Sequence, residues 1–231
     1  ADINIEKNNN ETSIFIKGKQ ELKSNNINVP SDLSSSAFFI IAALINKGSK
    51  ISLNNININP SRDGILKALK KMGAKISIEN QRTASGEIVA DLKVEYSNLV
   101  GCELSAEMAK FMIDEYPILS IAAAFAKGTS IFKGLKELKV KESDRLELIR
   151  LNLVNCGCDC EVINDDLIIR PSENYFPINN KIRTDFDHRI AMSFAVMGSR
   201  INNLIIEDAE SINTSFPNFI EKFNYAGGHI L

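Results

Sequence analysis

Residues 138–146 bring charges of both signs to the start of a predicted amphipathic helix. The charged members are Lys139, Lys141, Glu142, Asp144 and Arg145. Ser143 is the predicted N-cap, and Arg145 lies in the first turn, where the helix dipole disfavours a cation. A helix N-terminus offers free N–H groups to anions, so a basic residue placed there indicates an anionic ligand. The alternative is a solvated helix start with local ion pairs.

Composition limits the classes of function. The 231 residues, 44% of them hydrophobic, suffice for one large domain or two small ones. With a net charge of −2 the surface as a whole does not attract polyanions, so we expect no nucleic-acid partner. We find no apolar run of membrane-spanning length and no signal peptide, so we expect no membrane partner. The chain starts at Ala1 without Met, which we interpret as a cut or trimmed start.

The cysteines do not form the pattern of a secreted disulfide protein. Three of them alternate along one predicted strand, where neighbours are poorly placed to bridge each other. The four are Cys102, Cys156, Cys158 and Cys160. A metal site would need further ligands, and His188 and His229 are the only histidines in the sequence. We therefore predict reduced, buried thiols in a cytoplasmic protein, and no metal.

Three apolar segments resemble one another, and each predicts a helix that is buried on all sides. They are residues 35–45, 118–126 and 190–197. An acidic residue precedes each by a short interval, namely Asp32, Asp114 and Asp187. For Asp32 and Asp187 we favour an N-cap role. Asp114 is open to the same interpretation or to a functional one.

The elements after each buried helix also repeat, which makes the whole chain an array of related units. A short strand follows the helix, then an amphipathic helix, a glycine and a further strand. The strands are predicted at 50–53, 130–132 and 203–206, and the second helices at 64–72, 145–155 and 217–225. Hairpin partner strands follow at 90–96 and 166–170. We divide the chain into units at about 29–98, 99–172 and 173–231.

The first 28 residues do not fit a complete unit. Residues 3–6 and 13–18 flank a polar turn at 8–11 and predict a hairpin. This matches the last hairpin of a repeat unit whose helices lie upstream. We therefore interpret residues 1–28 as a terminal hairpin and crossing segment from a missing N-terminal half, and residues 29–231 as the C-terminal domain.

Several blocks, in order along the chain, resemble 5-enolpyruvylshikimate-3-phosphate synthases, in particular the bacterial class II type. The blocks are residues 29–32, 34–39, 113–118, 138–146, 187–194 and 214–219. The Lys-Glu-Ser-Asp-Arg sequence at 141–145 and the Asp-His-Arg-Ile-Ala-Met sequence at 187–192 are the most specific. The resemblance implies an α/β fold, an inside-out barrel-like domain of repeated βαβαββ units. It also implies that a second half completes the enzyme.

The resemblance further implies transfer of enolpyruvyl from phosphoenolpyruvate to the 5-hydroxyl of shikimate 3-phosphate, without a cofactor. Arg145 and Arg189 would hold the phosphoenolpyruvate carboxylate, and Lys141 would contact shikimate 3-phosphate. Asp114 would accept from the attacking hydroxyl, and Glu142 would take part in proton transfer at the methylene carbon. His188 is expected to be a hydrogen-bonded positioner rather than a base. We expect the full-length enzyme to be monomeric.

Two other interpretations remain open. The chain could be half of an enolpyruvyl transferase that acts on UDP-N-acetylglucosamine, which shares the fold but lacks the paired blocks at 141–145 and 187–192. It could also be a stable but non-catalytic isolated domain. Because half of each substrate site would be missing, we expect this chain alone to be inactive.

Overall fold

The computed structural model describes residues 2–8, 11–24, 26–172 and 179–231. The main helices follow one another in the predicted order, with one to three strands between one main helix and the next. The helices are α1 (Leu33–Ile45), α2 (Gly64–Lys71), α3 (Ala109–Met112), α4 (Tyr116–Ala124), α5 (Arg145–Asn155), α6 (His188–Gly198) and α7 (Phe219–Tyr225). The strands are β1 (Ile3–Asn8), β2 (Glu11–Ile16), β3 (Lys50–Asn57), β4 (Lys75–Ala84), β5 (Glu87–Glu95), β6 (Glu103–Leu104), β7 (Ser130–Phe132), β8 (Asp159–Ile163), β9 (Asp166–Arg170), β10 (Lys181–Ile182) and β11 (Ile205–Ile206).

Each buried helix connects two strand segments that run parallel. Ser31 bridges to Ile56 across α1, β6 pairs with β7 across α4, and β10 pairs with β11 across α6. Antiparallel hairpins extend the first two sheets, which gives the strand orders β3-β5-β4 and β6-β7-β9-β8. The same strand–helix–strand arrangement therefore recurs three times, as the sequence repeat predicts.

The core lies where α1, α4 and α6 contact one another. Their side chains are apolar on nearly every side, so each helix can be buried without a solvated face. Every residue of α4 is buried, and the rings of Phe38 and Phe219 meet edge to face with their centroids 5.9 Å apart. All four cysteines are free and buried, as predicted. No helix among the described residues is both long and apolar enough to cross a membrane.

Two local predictions are wrong. The N-cap of α5 is Asp144, whose side chain accepts from the Glu147 amide, and not Ser143. Residues 226–230 do not form a strand after α7. The Asn224 side chain donates to the Ile230 carbonyl and accepts from the Ile230 amide, so these two backbone groups are not available to a strand ladder.

The predicted hairpin forms between β1 and β2, but the strands include Asn8 and Glu11 of the predicted turn and end at Ile16 rather than at residue 18. Asn9 and Asn10 of that turn lie outside the described residues. Ile3 pairs with Ile16 and Ile5 with Ile14, which places four isoleucines on one face. All four side chains are more than half exposed. This face, called the isoleucine face below, is apolar and uncovered.

At Gly101, just before β6, the backbone lies close to the segment that follows α4. A Cβ atom built there would lie 2.3 Å from the Thr129 carbonyl oxygen and 2.5 Å from that of Gly128. We predict that Gly101→Ala lowers the free energy of unfolding by about 1–3 kcal/mol, because the backbone must shift to relieve the overlap. Urea denaturation would measure the change.

Gly198, the last residue of α6, provides the matched control, because a Cβ atom there meets nothing within 4 Å. Gly198→Ala should leave the stability unchanged or slightly higher. Equal losses for the two variants would contradict the close approach at Gly101.

Candidate functional site

The starts of several helices meet at one place and bring the predicted site residues together. Asp114 lies in a 3₁₀ turn before α4, Lys141 and Glu142 precede α5, and His188 and Arg189 begin α6. Hydrogen bonds join these segments to one another. The sequence therefore predicted correctly that these residues share one region.

Arg145 is the centre of the site, and its side chain is 0% exposed. Its Nε donates to Asp187 Oδ2 at 2.8 Å, and its Nη1 to Asp114 Oδ1 at 3.0 Å. Its Nη2 lies 2.6 Å from Glu142 Oε2. Three carboxylates from three segments thus compensate one buried guanidinium, which would otherwise be very costly to desolvate.

Asp187 has two roles at once. Its Oδ1 accepts from the backbone amides of Arg189 and Ile190 and so caps α6, while its Oδ2 accepts from Arg145 and from Ser143 Oγ. Burial alone would raise the pKa of Asp187, but the hydrogen bonds and charge of Arg145 outweigh it and lower the pKa. Asp187 is therefore a carboxylate at neutral pH.

A tight turn places Asp187 at the start of α6. The Asp187 amide donates to the Thr184 carbonyl at 2.9 Å, and the two residues between them have positive φ angles of 49° and 59°. This is the geometry of a type I′ turn, which usually contains Asn and Gly. Here Asp185 and Phe186 occupy it, and Asp185 is further held by a two-pronged ion pair with Arg183.

Asp114 is ionised among cations. Burial alone would raise its pKa, but the positive charges of Arg189, Lys141 and Arg145 lower the pKa below its ordinary value. Lys141 Nζ lies 3.4 Å from Asp114 Oδ1. Asp114 does not cap α4 with its side chain, since the N-cap position is Glu115. Its carboxylate therefore accepts from Arg145 and faces Lys141 instead of capping the helix.

Glu142 and Arg189 are more exposed than Arg145 and Asp187. The Glu142 side chain is 54% exposed, so it can move away from Arg145 directly into solvent. Arg189 is 18% exposed, and its Nη1 donates to the Asp114 carbonyl at 3.2 Å. Within the part of the chain that the structure describes, Nε and Nη2 of Arg189 have no hydrogen-bond partner. Arg189 can thus offer two donors to an external anion.

His188 lies beside these groups. Burial lowers the pKa of His188, and the positive charges of Arg189 and Arg145 lower it further. The negative charges of Asp187 and Glu142 oppose this shift but do not cancel it, so the imidazole is favoured in its neutral form. Its imidazole makes no hydrogen bond to any described residue, so the contact expected of a hydrogen-bonded positioner is not formed. Among the described residues, no group of three or more potential metal ligands is close enough to hold an ion.

Sequence reasoning missed several members of the site. It assigned Asp187 and Ser143 to capping alone, and it gave no role to Glu115 or Ser34. These side chains meet their partners only through the tertiary fold. The one usable signal was position, because Glu115 adjoins Asp114 and Ser143 adjoins Glu142.

Comparisons with known proteins identify relatives over most of the chain. The family model described as EPSP synthase (3-phosphoshikimate 1-carboxyvinyltransferase) matches residues 1–223. A 3-phosphoshikimate 1-carboxyvinyltransferase of Paramagnetospirillum magneticum is 46% identical over 94% of this chain and 49% of its own length. The structure of EPSP synthase from Acinetobacter baumannii superimposes with a TM-score of 0.88 at 39% identity, over 97% of this chain and 52% of that one. The enolpyruvyl transferase NikO from Streptomyces tendae, 15% identical with a TM-score of 0.65, covers 98% of this chain and 50% of its own and shares the fold. The chain spans about half the length of the relatives it matches.

The ion pair between Arg145 and Asp187 gives a stability prediction. Asp187→Ala should lower the free energy of unfolding by about 3–5 kcal/mol, because it leaves a buried guanidinium short of a partner. Asp32→Ala is the matched control, since Asp32 caps α1 through two amides but does not contact Arg145. Asp32→Ala should lower the free energy of unfolding by about 1 kcal/mol. Urea denaturation of both variants would measure the difference, and equal losses would contradict it.

The same pair should be sensitive to acid. The folded-state pKa of Asp187 lies below its ordinary value. The contribution of the ionised Asp187 to the free energy of unfolding is therefore present above about pH 4 and is lost as the pH falls further. The stability difference between the wild type and Asp187→Ala should therefore shrink as the pH is lowered through this range. A difference that stays constant would show that the ion pair does not contribute.

Proposed function

Because the chain belongs to the EPSP synthase family, we propose that it forms one half of a 3-phosphoshikimate 1-carboxyvinyltransferase. This enzyme transfers enolpyruvyl from phosphoenolpyruvate to the 5-hydroxyl of shikimate 3-phosphate and releases phosphate. The observation that carries the proposal is the ionised Asp114 carboxylate, which lies among Lys141, Arg145 and Arg189 where helix starts meet.

Both substrates carry several negative charges, and the cations of the site match them. The free Nε and Nη2 of Arg189 form a planar fork that suits the carboxylate of phosphoenolpyruvate. Lys141 provides a compact charge for shikimate 3-phosphate. The N-terminus of α6 adds a favourable dipole beside Arg189, while Asp187 already accepts from the amides of Arg189 and Ile190.

Arg145 joins this anion site by exchanging partners. In the structure Glu142 occupies its Nη2, and Glu142 is the most exposed of the three carboxylates on Arg145. We propose that the phosphoenolpyruvate carboxylate takes the place of Glu142. Asp187 and Asp114 keep Arg145 in position during the exchange, and Glu142 is released toward the reacting carbon.

The two carboxylates then serve an addition and an elimination. In the addition, the 5-hydroxyl oxygen bonds to C2 of phosphoenolpyruvate and its proton passes to Asp114, while C3 gains a proton from Glu142, which takes that proton up from solvent once it has left Arg145. In the elimination, phosphate leaves C2, and Glu142 takes a proton back from C3 to restore the double bond. We propose that the neutral His188 positions Glu142 once Glu142 has left Arg145, through a hydrogen bond that is not formed in this structure. No cofactor is needed for these steps.

We propose residues 29–231 as one domain of three units, about 29–98, 99–172 and 173–231. Residues 1–28 would be the hairpin and crossing segment of the other half, and residues 173–178 of the third unit lie outside the described residues. Since catalysis would need groups from both halves, this chain alone should be inactive. The four free cysteines suit a cytoplasmic enzyme.

Phosphate release tests the proposal. The chain by itself should release no phosphate. Once it is combined with the remaining half of the enzyme, phosphate should be released, provided that both substrates are present. Failure of the complete enzyme to turn over these substrates would contradict the proposed function. Turnover by the chain alone would contradict the shared site.

Conservative substitutions test the two carboxylates in the complete enzyme. Asp114→Asn and Glu142→Gln should each lower kcat by about 100-fold or more, because they remove proton transfer while keeping side-chain size. Glu147→Gln, an exposed carboxylate on α5 that pairs with Arg150, is the control and should leave kcat unchanged. Near-normal turnover of Glu142→Gln would show that its role is assigned wrongly.

A further inference from the structure

Glu115 is a buried carboxylate of the site that the proposed reaction does not use. It follows Asp114 directly, and only 3% of the residue is exposed. Lys, Glu, Arg and Asp are almost never buried to this extent unless they are paired. The partners of Glu115 therefore indicate what it does.

One partner lies on α1. Ser34, in the first turn of that helix, donates its hydroxyl to Glu115 Oε1. Arg62 Nη2 in turn donates to Ser34 Oγ at 3.3 Å. Glu115 is thus fixed from the first repeat unit, although it belongs to the second.

The other partner is Arg189 on α6, in the third unit. Its Nη1 lies 3.8 Å from Glu115 Oε1 and donates to the Asp114 carbonyl. Both contacts hold the same nitrogen of the guanidinium. The other two nitrogens, Nε and Nη2, stay without a hydrogen-bond partner among the described residues.

Arg145 shows what happens without this restriction. All three of its nitrogens contact carboxylates, so an anion reaches it only by displacing one of them. Arg189 is instead held at one corner and keeps its two-nitrogen fork free. A carboxylate set farther back than hydrogen-bond distance can attract the cation without occupying that fork.

We propose that Glu115 is a positioning residue that holds Arg189 by one nitrogen and keeps its fork directed at the anionic substrate. That the anion is phosphoenolpyruvate rests on the proposed function. Ser34 fixes Glu115 from α1, so the arrangement links all three repeat units at the site. Glu115 itself touches no reacting atom.

The charge of Glu115 is what attracts Arg189, and it depends on pH. Burial raises the pKa of Glu115, against the hydrogen bond from Ser34 and the charges of Arg189 and Arg62, while Asp114 raises it further. These are the charged groups that face it from its own turn, from α6 and from the segment before α2. The attraction is therefore strongest above the raised pKa and weakens as the pH falls.

Kinetics of the complete enzyme provide the first test. Glu115→Gln keeps an oxygen for Ser34 but removes the charge, and it should raise KM for phosphoenolpyruvate about 5- to 20-fold with kcat within about twofold. The ratio of the KM of Glu115→Gln to the KM of the wild type should approach one at lower pH, where wild-type Glu115 also loses its charge. Glu147→Gln should change neither constant. A KM within twofold of the wild type at all pH values would overturn the proposal.

The second test does not depend on activity. In the 231-residue chain, ¹⁵N relaxation should show the Arg189 Nε group losing order in Glu115→Gln, toward the values below about 0.6 that are typical of flexible groups. The Arg145 Nε group, held by Asp187, is an internal control and should stay rigid. Unchanged order at Arg189 would overturn the positioning role. If the complete enzyme proves inactive with both substrates, the proposed function fails, while this measurement still decides the role of Glu115.

Discussion

One buried guanidinium determines how the rest of the site is built. Arg145 lies at the start of α5 without contact to solvent, and a charge in that place is tolerated only if opposite charges surround it. Asp187, Asp114 and Glu142 supply them from three different segments. The need to compensate Arg145 therefore brings the starts of α4, α5 and α6 to one point.

This arrangement uses the same carboxylates for folding and for the proposed chemistry. Asp187 caps α6 and neutralises Arg145, and Asp114 neutralises Arg145 and Lys141 while remaining an accessible acceptor. An incoming substrate anion can take over part of this compensation, so that substrate binding and release of Glu142 become one event. A buried ion-pair network of this kind is often less stable than well-packed apolar residues of the same volume would be.

The sequence predicted the features that depend on neighbours along the chain. The three all-apolar segments are buried helices, and Asp32 and Asp187 cap two of them, because periodicity and capping are local properties. The cap of α5 was misplaced by one residue, since Ser143 and Asp144 are both good capping residues. The burial of Arg145 and the contacts of Glu115 could not be predicted, because their partners are distant in sequence and meet only after the units pack.

The isoleucine face of the β1–β2 hairpin has a consequence for handling the chain. Ile3, Ile5, Ile14 and Ile16 present a contiguous apolar surface on a two-stranded sheet, and such a hairpin has two open edges and little stability of its own. An uncovered surface of this kind promotes association between copies of the chain. Solubility should therefore fall with concentration, and light scattering should rise, until a matching apolar surface covers the hairpin.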